Sequence, residues 1–168
     1  VKREVVSTET YQAIQQLLET CNIMTLATCL DGKPWAATVF YVSDSELNLY
    51  FVSDQRTRHG QHLQTAAWAA GAINPDCAHW SEIRGVQFEG CVTVLEGMAR
   101  LRALGLYFTR FPDVKALFEQ PKDHNESTIA SRLLAAHIYQ LCPERIRLID
   151  NRQRFGYKAE IVLNPAED

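Results

Sequence analysis

The 168-residue sequence contains no apolar run approaching the ~20 residues of a membrane-spanning helix. Its first residues, Val1-Lys2-Arg3-Glu4, lead into a polar helix and not into the apolar core of a secretory leader, so the cytoplasm is the expected compartment. No Cys-x-x-Cys pair is present. The five cysteines, Cys21, Cys29, Cys77, Cys91 and Cys142, are odd in number and scattered, which reads as reduced thiols. Metal-ligand spacing is missing too, because His59-x-x-His62 is the one tight histidine pair and His79, His124 and His137 lie far from it. No metal site is expected. Neither sign of charge dominates: 17 basic against 20 acidic side chains give −3, which supplies no global field for nucleic acid or an anionic membrane. An anionic ligand must therefore be held locally. With 8 glycines, 6 prolines and no repeat, disordered, collagenous and solenoid readings fall away. What remains is 46% hydrophobic against 22% charged residues, enough to bury a core in one domain spanning 1–168.

Ser7-Thr8-Glu9-Thr10 offers cap oxygens, and Tyr11, Ile14, Leu17, Leu18 and Cys21 recur at helical spacing, predicting a helix over 8–20. Ile23 to Leu30, the turn Asp31-Gly32, and Trp35 to Val42 read as a buried hairpin. A strand over 47–52 follows the polar turn Ser43 to Glu46. The small-residue segment after Leu63 suits either helix or strand; a short helix over 57–64 and a strand over 67–73 are preferred. Val86, Phe88, Gly90, Val92 and Val94 alternate with polar neighbours in a long half-buried strand, where Gly85 and Gly90 mark bulges or close approaches.

Met98, Leu101, Leu104 and Phe108 share one face of a helix that Pro112 stops at Phe111, and Asp113 caps another through Phe118. Residues 120–126 read as loop, and Ser127 as the cap of a helix to about Ala136. Tyr139 to Cys142, Arg145 to Asp150 and Phe155 to Leu163 read as closing strands before the polar tail Asn164 to Asp168. Strands about 23–96 and 139–163 with a helical insertion about 98–136 predict an α+β, mainly β domain, a small antiparallel barrel carrying peripheral helices. Trp35, Trp68 and Trp80 are assigned to the core by default, with cover for a cofactor or an interface as their other role. Cys29 and Cys91 read as small packing residues, and no Ser-His-Asp or Cys-His nucleophilic set is present.

The chemistry concentrates in Ser53-Asp54-Gln55-Arg56-Thr57-Arg58-His59, which joins a strand end to a helix start. Unpaired N–H groups and the macrodipole at a helix N-terminus favour an anion, and guanidinium groups add charge-assisted hydrogen bonds. The segment suits a phosphate. The same residues would also serve a capped surface helix with two solvated arginines.

Thr25-Leu26-Ala27-Thr28, Asp31-Gly32-Lys33-Pro34, the strand 47–52, Arg56-Thr57-Arg58 and above all Arg84-Gly85-Val86-Gln87-Phe88-Glu89-Gly90 together resemble the pyridoxamine-phosphate-oxidase-like FMN-binding split barrels. Tyr107-Phe108-Thr109-Arg110-Phe111-Pro112, Asp150-Asn151 and Phe155-Gly156-Tyr157-Lys158 extend the resemblance to its uncharacterised YhbP-like branch. The resemblance implies a six-stranded antiparallel split barrel, a homodimer, and FMN at the subunit interface. It places the backbone of Thr38, Val39 and Phe40 beside the flavin ring, Val52 and Ser53 at the neighbouring strand end, and Thr57 and Arg58 on the phosphate. Arg58 falls where a basic residue, usually Lys, is found, and Arg56 where a small hydroxyl residue is usual. Arg84 and Gln87 are candidates for flavin or interface contacts.

Three positions depart from the oxidases that the chain resembles. Ala37 replaces an Arg, Gly85 replaces a flavin-contacting Gln, and Val42 lies where a substrate-binding Lys falls. Tyr107 and Arg110 resemble a phosphate-gripping Tyr and Arg with altered spacing. The implied function is an FMN-dependent oxidoreductase with an unassigned small-molecule substrate, not a pyridoxamine-phosphate oxidase. Alternatives are a non-catalytic dimer binding flavin, or haem through His59 or His62, and a structural dimer without cofactor.

Overall fold

The computed structural model describes residues 7–163; the leading Val1 to Glu4 and the polar tail from Asn164 lie outside the described residues. The order is α1 (Thr8–Thr20), β1 (Ile23–Leu30), β2 (Lys33–Ser43), β3 (Leu49–Ser53), α2 (Arg58–Thr65), β4 (Trp68–Ile73), β5 (Arg84–Leu95), α3 (Gly97–Arg110), α4 (Pro112–Glu119), α5 (His124–Ala135), β6 (His137–Asp150) and β7 (Lys158–Val162), with a 3₁₀ turn at Trp80–Glu82.

Every strand pairing is antiparallel, in the order β3-β2-β1-β4-β5-β6-β7, and β3 also pairs with β6. That last ladder, with Phe51 opposite Tyr139 and Ser53 opposite His137, closes six strands into a barrel. β7 is added outside it. The β1–β2 hairpin turns on Asp31 and Gly32, both at positive φ (51° and 70°), as a two-residue turn between right-twisted strands requires.

Alternation sorts the strands into two faces. Met24 and Leu26 of β1, Leu49 and Phe51 of β3, Ile73 of β4, Val86 and Phe88 of β5, and Leu141, Ile146 and Leu148 of β6 fill the interior, and α1 adds Ile14, Leu17 and Leu18. Each such side chain contributes about 1.5–3 kcal/mol by leaving water. The outer faces of β1 and β4 carry Thr25, Ala27, Ala70 and Ala72, small residues that are exposed or half-buried.

Several expectations are corrected. β3 begins at Leu49, because Leu47, fully buried, sits at φ 66° in a turn braced by the Asp44 carboxylate, which accepts from the Glu46 and Asn48 amides. The separate strands 139–142 and 145–150 are one strand: Pro143 falls opposite Gly90, where a register shift at Glu89/Gly90 absorbs the irregularity without ending the ladder. Pro112 opens α4 at its first turn, where a missing N–H costs nothing. α5 starts at His124 because the Asp123 carboxylate accepts from the Glu126 amide; Ser127 lies inside the helix and is not its cap. On α3 the buried residues are Ala103 and Tyr107, while Met98 and Leu101 are 67% and 58% exposed. All three tryptophans are exposed and outside the core, and Cys29 is exposed rather than packed.

Candidate functional site

β3 delivers Ser53 to one end of the barrel, the chain turns through Asp54, Gln55 and Arg56, and Thr57 starts α2. Thr57 Oγ1 accepts from the Gly60 amide at 3.1 Å and donates to the Asp54 carbonyl at 2.7 Å, so one hydroxyl pins the helix start to the preceding turn. Gly60 lets the turn lie this close, since a Cβ there would meet the Asp54 carbonyl oxygen at 2.6 Å. Among the described residues the Arg58 and His59 N–H groups at the start of α2 have no backbone acceptor.

The two arginines behave differently. Arg56 is bound to Asp54, with Nε 3.0 Å from Oδ1 and Nη2 2.5 Å from Oδ2, and these hydrogen bonds hold the Asp54 carboxyl down at about 2. Its charge is locally compensated. Arg58 is exposed and makes no ion pair among the described residues; its guanidinium carbon lies 4.5 Å from the centroid of the Trp35 ring. Trp35 is on β2 opposite Thr28, so Arg58 is steadied by an aromatic face, and its guanidinium N–H groups make no hydrogen bond among the described residues.

Beneath this start lie two buried histidines on one side of α2. His59 Nε2 is 2.6 Å from Ser53 Oγ and 3.2 Å from Thr57 Oγ1, and His62 Nδ1 is 3.0 Å from Thr28 Oγ1. Burial, with a smaller contribution from His62, lowers the pKa of His59. Both histidines are committed to barrel hydroxyls. Each contact uses one ring nitrogen, Nε2 of His59 and Nδ1 of His62. Among the described residues, no group of three His, Cys, Asp or Glu side chains is placed to hold a metal ion.

The structure brings Ser53, Arg56, Thr57 and Arg58 together, with Val52 half-buried just before them. Thr38 and Phe40 face out along β2, while Val39 faces in and packs against the core. Arg84 and Gln87 are elsewhere. Arg84 opens β5 opposite Asp150, and Cys91, whose partner Trp68 follows α2, comes about seven residues later, roughly 23 Å along the strand. Gln87 faces outward between Ala72 and Arg147, in an open recess of about 390 Å³ on the sheet's outer face. The recess is electrically balanced: Glu160 accepts from Arg145 at 2.8 Å and Arg147 at 2.9 Å, and Arg145 also meets Glu89 at 3.3 Å.

The departures have packing reasons. A Cβ at Gly85 would meet the Ile73 carbonyl oxygen at 2.7 Å and Asn74 Cβ at 2.9 Å, so no glutamine fits there, whereas Gln87, two residues on along the same face, is exposed. Ala37 lies opposite the fully buried Leu26 in the row of Trp35 and Val39, where a cation would be costly; Arg58 brings a guanidinium to that row from α2. Val42 is buried opposite Tyr50. Arg110 donates to the Glu19 carbonyl and to Asn22 Oδ1, tying α3 to the end of α1, and Tyr107 is buried with its hydroxyl pushed up to about 12. Neither is placed beside α2. Sequence reasoning missed the Arg58–Trp35 stack and both histidine–hydroxyl pairs; an i, i+3 histidine pair following a cap threonine was the available signal.

Residues 10–142 match the family described as pyridoxamine 5'-phosphate oxidase. A UPF0306 protein of Klebsiella pneumoniae is 32% identical over 151 residues, covering 89% of this chain and 91% of the relative. The UPF0306 protein YhbP of Salmonella arizonae is 30% identical with the same coverage. Among solved structures, a haem-binding protein from Mycobacterium smegmatis superposes with a TM-score of 0.71 at 18% identity, covering 95% of this chain and 60% of that one. No described helix is long and apolar enough to cross a membrane. With a closed six-stranded barrel and these two levels of sequence match, the chain belongs to the pyridoxamine 5'-phosphate oxidase family and, within it, to the UPF0306 proteins.

Proposed function

We propose that this chain binds FMN, holding its phosphate at the start of α2, and that it works as a homodimeric flavoprotein oxidoreductase on a small molecule. The observation that carries the reading is Arg58: a guanidinium without an ion pair among the described residues, steadied on Trp35 at a helix start whose Arg58 and His59 N–H groups have no backbone acceptor. An anion placed there gains charge-assisted hydrogen bonds and the favourable end of the helix dipole. The neighbouring carboxylate, Asp54, is already paired with Arg56 and opposes an anion less for that reason.

The residues present fit the cofactor in outline. Thr57 and Arg58 would hold the phosphate, with Thr38 and Phe40 along the flavin edge. Gln87 lies in one cross-strand row with Ala72, Thr25 and Thr38, and Arg84 precedes it on β5; both are candidates for flavin or interface contacts. In a homodimer packed through the small-residue outer face of β1 and β4, Gln87, which lines the recess on that face, would lie at the interface. FMN, when bound, supplies the electron transfer; the protein's share is binding, orientation and exclusion of water. The haem-binding neighbour raises haem as a rival ligand, but both α2 histidines are buried, while Arg58, exposed and without an ion pair among the described residues, suits a phosphate, which favours flavin.

Equilibrium titration of the purified protein with FMN and with riboflavin, which lacks the phosphate, tests this reading. FMN should bind at least tenfold tighter than riboflavin, and Arg58→Ala should remove most of that difference, in line with ~1.5–3 kcal/mol for a hydrogen bond to a charged group. Equal affinities in the unmodified protein would refute it.

A further inference from the structure

The hydroxyls around α2 identify which ring nitrogen of His59 carries its proton. Thr57 has one hydroxyl hydrogen, and it is committed, because its oxygen lies 2.7 Å from the Asp54 carbonyl, which can only accept. The lone pairs of Thr57 therefore meet the Gly60 N–H at 3.1 Å and His59 Nε2 at 3.2 Å. An unprotonated Nε2 would set lone pair against lone pair in a partly buried site. A protonated Nε2 makes that contact favourable and donates chiefly to Ser53 Oγ at 2.6 Å.

With His59 as donor, the Ser53 hydrogen is not needed for the pair. Thr57 Oγ1, 3.4 Å from Ser53 Oγ, already faces two donors and is a poor acceptor for it. The cross-strand neighbour His137 makes no hydrogen bond to Ser53 among the described residues. The other charged or titratable groups around the turn are engaged: Asp54 with Arg56, His62 with Thr28, and Arg58 over Trp35.

We infer that His59 carries its proton on Nε2 and is a positioning residue for the phosphate cradle, turning Ser53 into a hydroxyl donor toward the terminal anion of the bound mononucleotide. The inference rests on the FMN reading above and adds to it which atom donates and what holds it. His59 itself does not touch the ligand. It acts through Ser53 and by bracing Thr57 at the cap.

Two measurements test it. In full-length protein labelled with ¹⁵N-histidine, long-range ¹H–¹⁵N correlation should give the Nε2–H tautomer for His59, assigned by its loss in His59→Gln. FMN and riboflavin titrations should then show Ser53→Ala and His59→Ala each weakening FMN about tenfold, with riboflavin nearly unchanged as evidence of an intact fold. His59→Gln, whose side-chain N–H replaces the Nε2 donor, should stay within about threefold of the parent, and the double alanine variant should be little worse than Ser53→Ala alone. The Nδ1–H tautomer, or an unchanged FMN-to-riboflavin ratio in His59→Ala, overturns the inference while leaving the Arg58 cradle standing. A parent protein that does not prefer FMN removes the cradle and the inference together.

Discussion

The guanidinium of Arg58 rests 4.5 Å above the centroid of the Trp35 ring, joining the first turn of α2 to the start of β2. Trp35 is 40% exposed, so the indole acts less as core than as a platform that limits where this cation can go. Replacing Trp35 with Leu should weaken FMN by about two- to fivefold through lost restraint on Arg58, matching ~0.5–1 kcal/mol for an exposed cation–π contact. Trp35→Phe should retain more of the affinity. Titration of both variants against FMN decides the matter, and equal losses would mean the ring's electrons are not involved.

Gly85→Ala probes the packing that excludes a larger residue from β5. Its Cβ would press on the Ile73 carbonyl oxygen at 2.7 Å, and backbone cannot rotate away as a side chain can. Overpacking of this kind costs about 1–3 kcal/mol. Denaturant melts should show a lowered midpoint with an unchanged slope. A variant as stable as the parent would show that β4 and β5 separate more easily than this register implies.

Tyr139 stacks on Phe51 with ring centroids 5.0 Å apart and planes 9° apart, yet its buried hydroxyl has no partner among the described residues. An unsatisfied buried polar group costs about 1–3 kcal/mol, so Tyr139→Phe should leave stability unchanged or raise it by about 1 kcal/mol. Chemical unfolding measures this. A clear loss of stability would reveal an unseen partner for the hydroxyl, such as an internal water.

The lowered pKa of His59 gives the protein a pH signature. Burial favours the neutral ring in the folded state, so between the folded pKa and the unfolded value of 6.5 the unfolded chain binds more protons. The contribution of His59 is therefore complete above 6.5 and is lost as pH falls from that value through the folded pKa. Facing it are His62 on its own helix and the Ser53 and Thr57 hydroxyls; the Asp54–Arg56 pair lies in the same turn. Melting temperature followed downward from neutral pH should drop, and His59→Gln should flatten that drop. An equally steep drop in the variant would assign the effect to another group.

Local chemistry made much of this architecture legible. Asp31-Gly32 fixed the first hairpin, the Ile14, Leu17, Leu18 spacing fixed α1, and Thr57 fixed the start of α2, because each acts over a few residues. The errors came where distant contacts decide. Nothing near Met98 or Leu101 reveals that α3 buries Ala103 and Tyr107 instead, and Pro143 looks like a strand break until Gly90 is opposite it. At the site, composition marked the segment 53–59, but only the fold separates Arg56, spent on Asp54, from Arg58, held by a tryptophan far earlier in the chain.

The ladder between β3 and β6 also shapes how the protein is made. Its first strand leaves the ribosome early, but its partner, from His137 to Leu141, emerges only after all five helices have been synthesised. Until then the outer edge of β3 lies open, with Phe51 and Leu49 lacking their final cover. Because loop closure must precede so long-range a contact, joining the ends is expected to be a slow step, and nascent chains halted before residue 137 should be the aggregation-prone species.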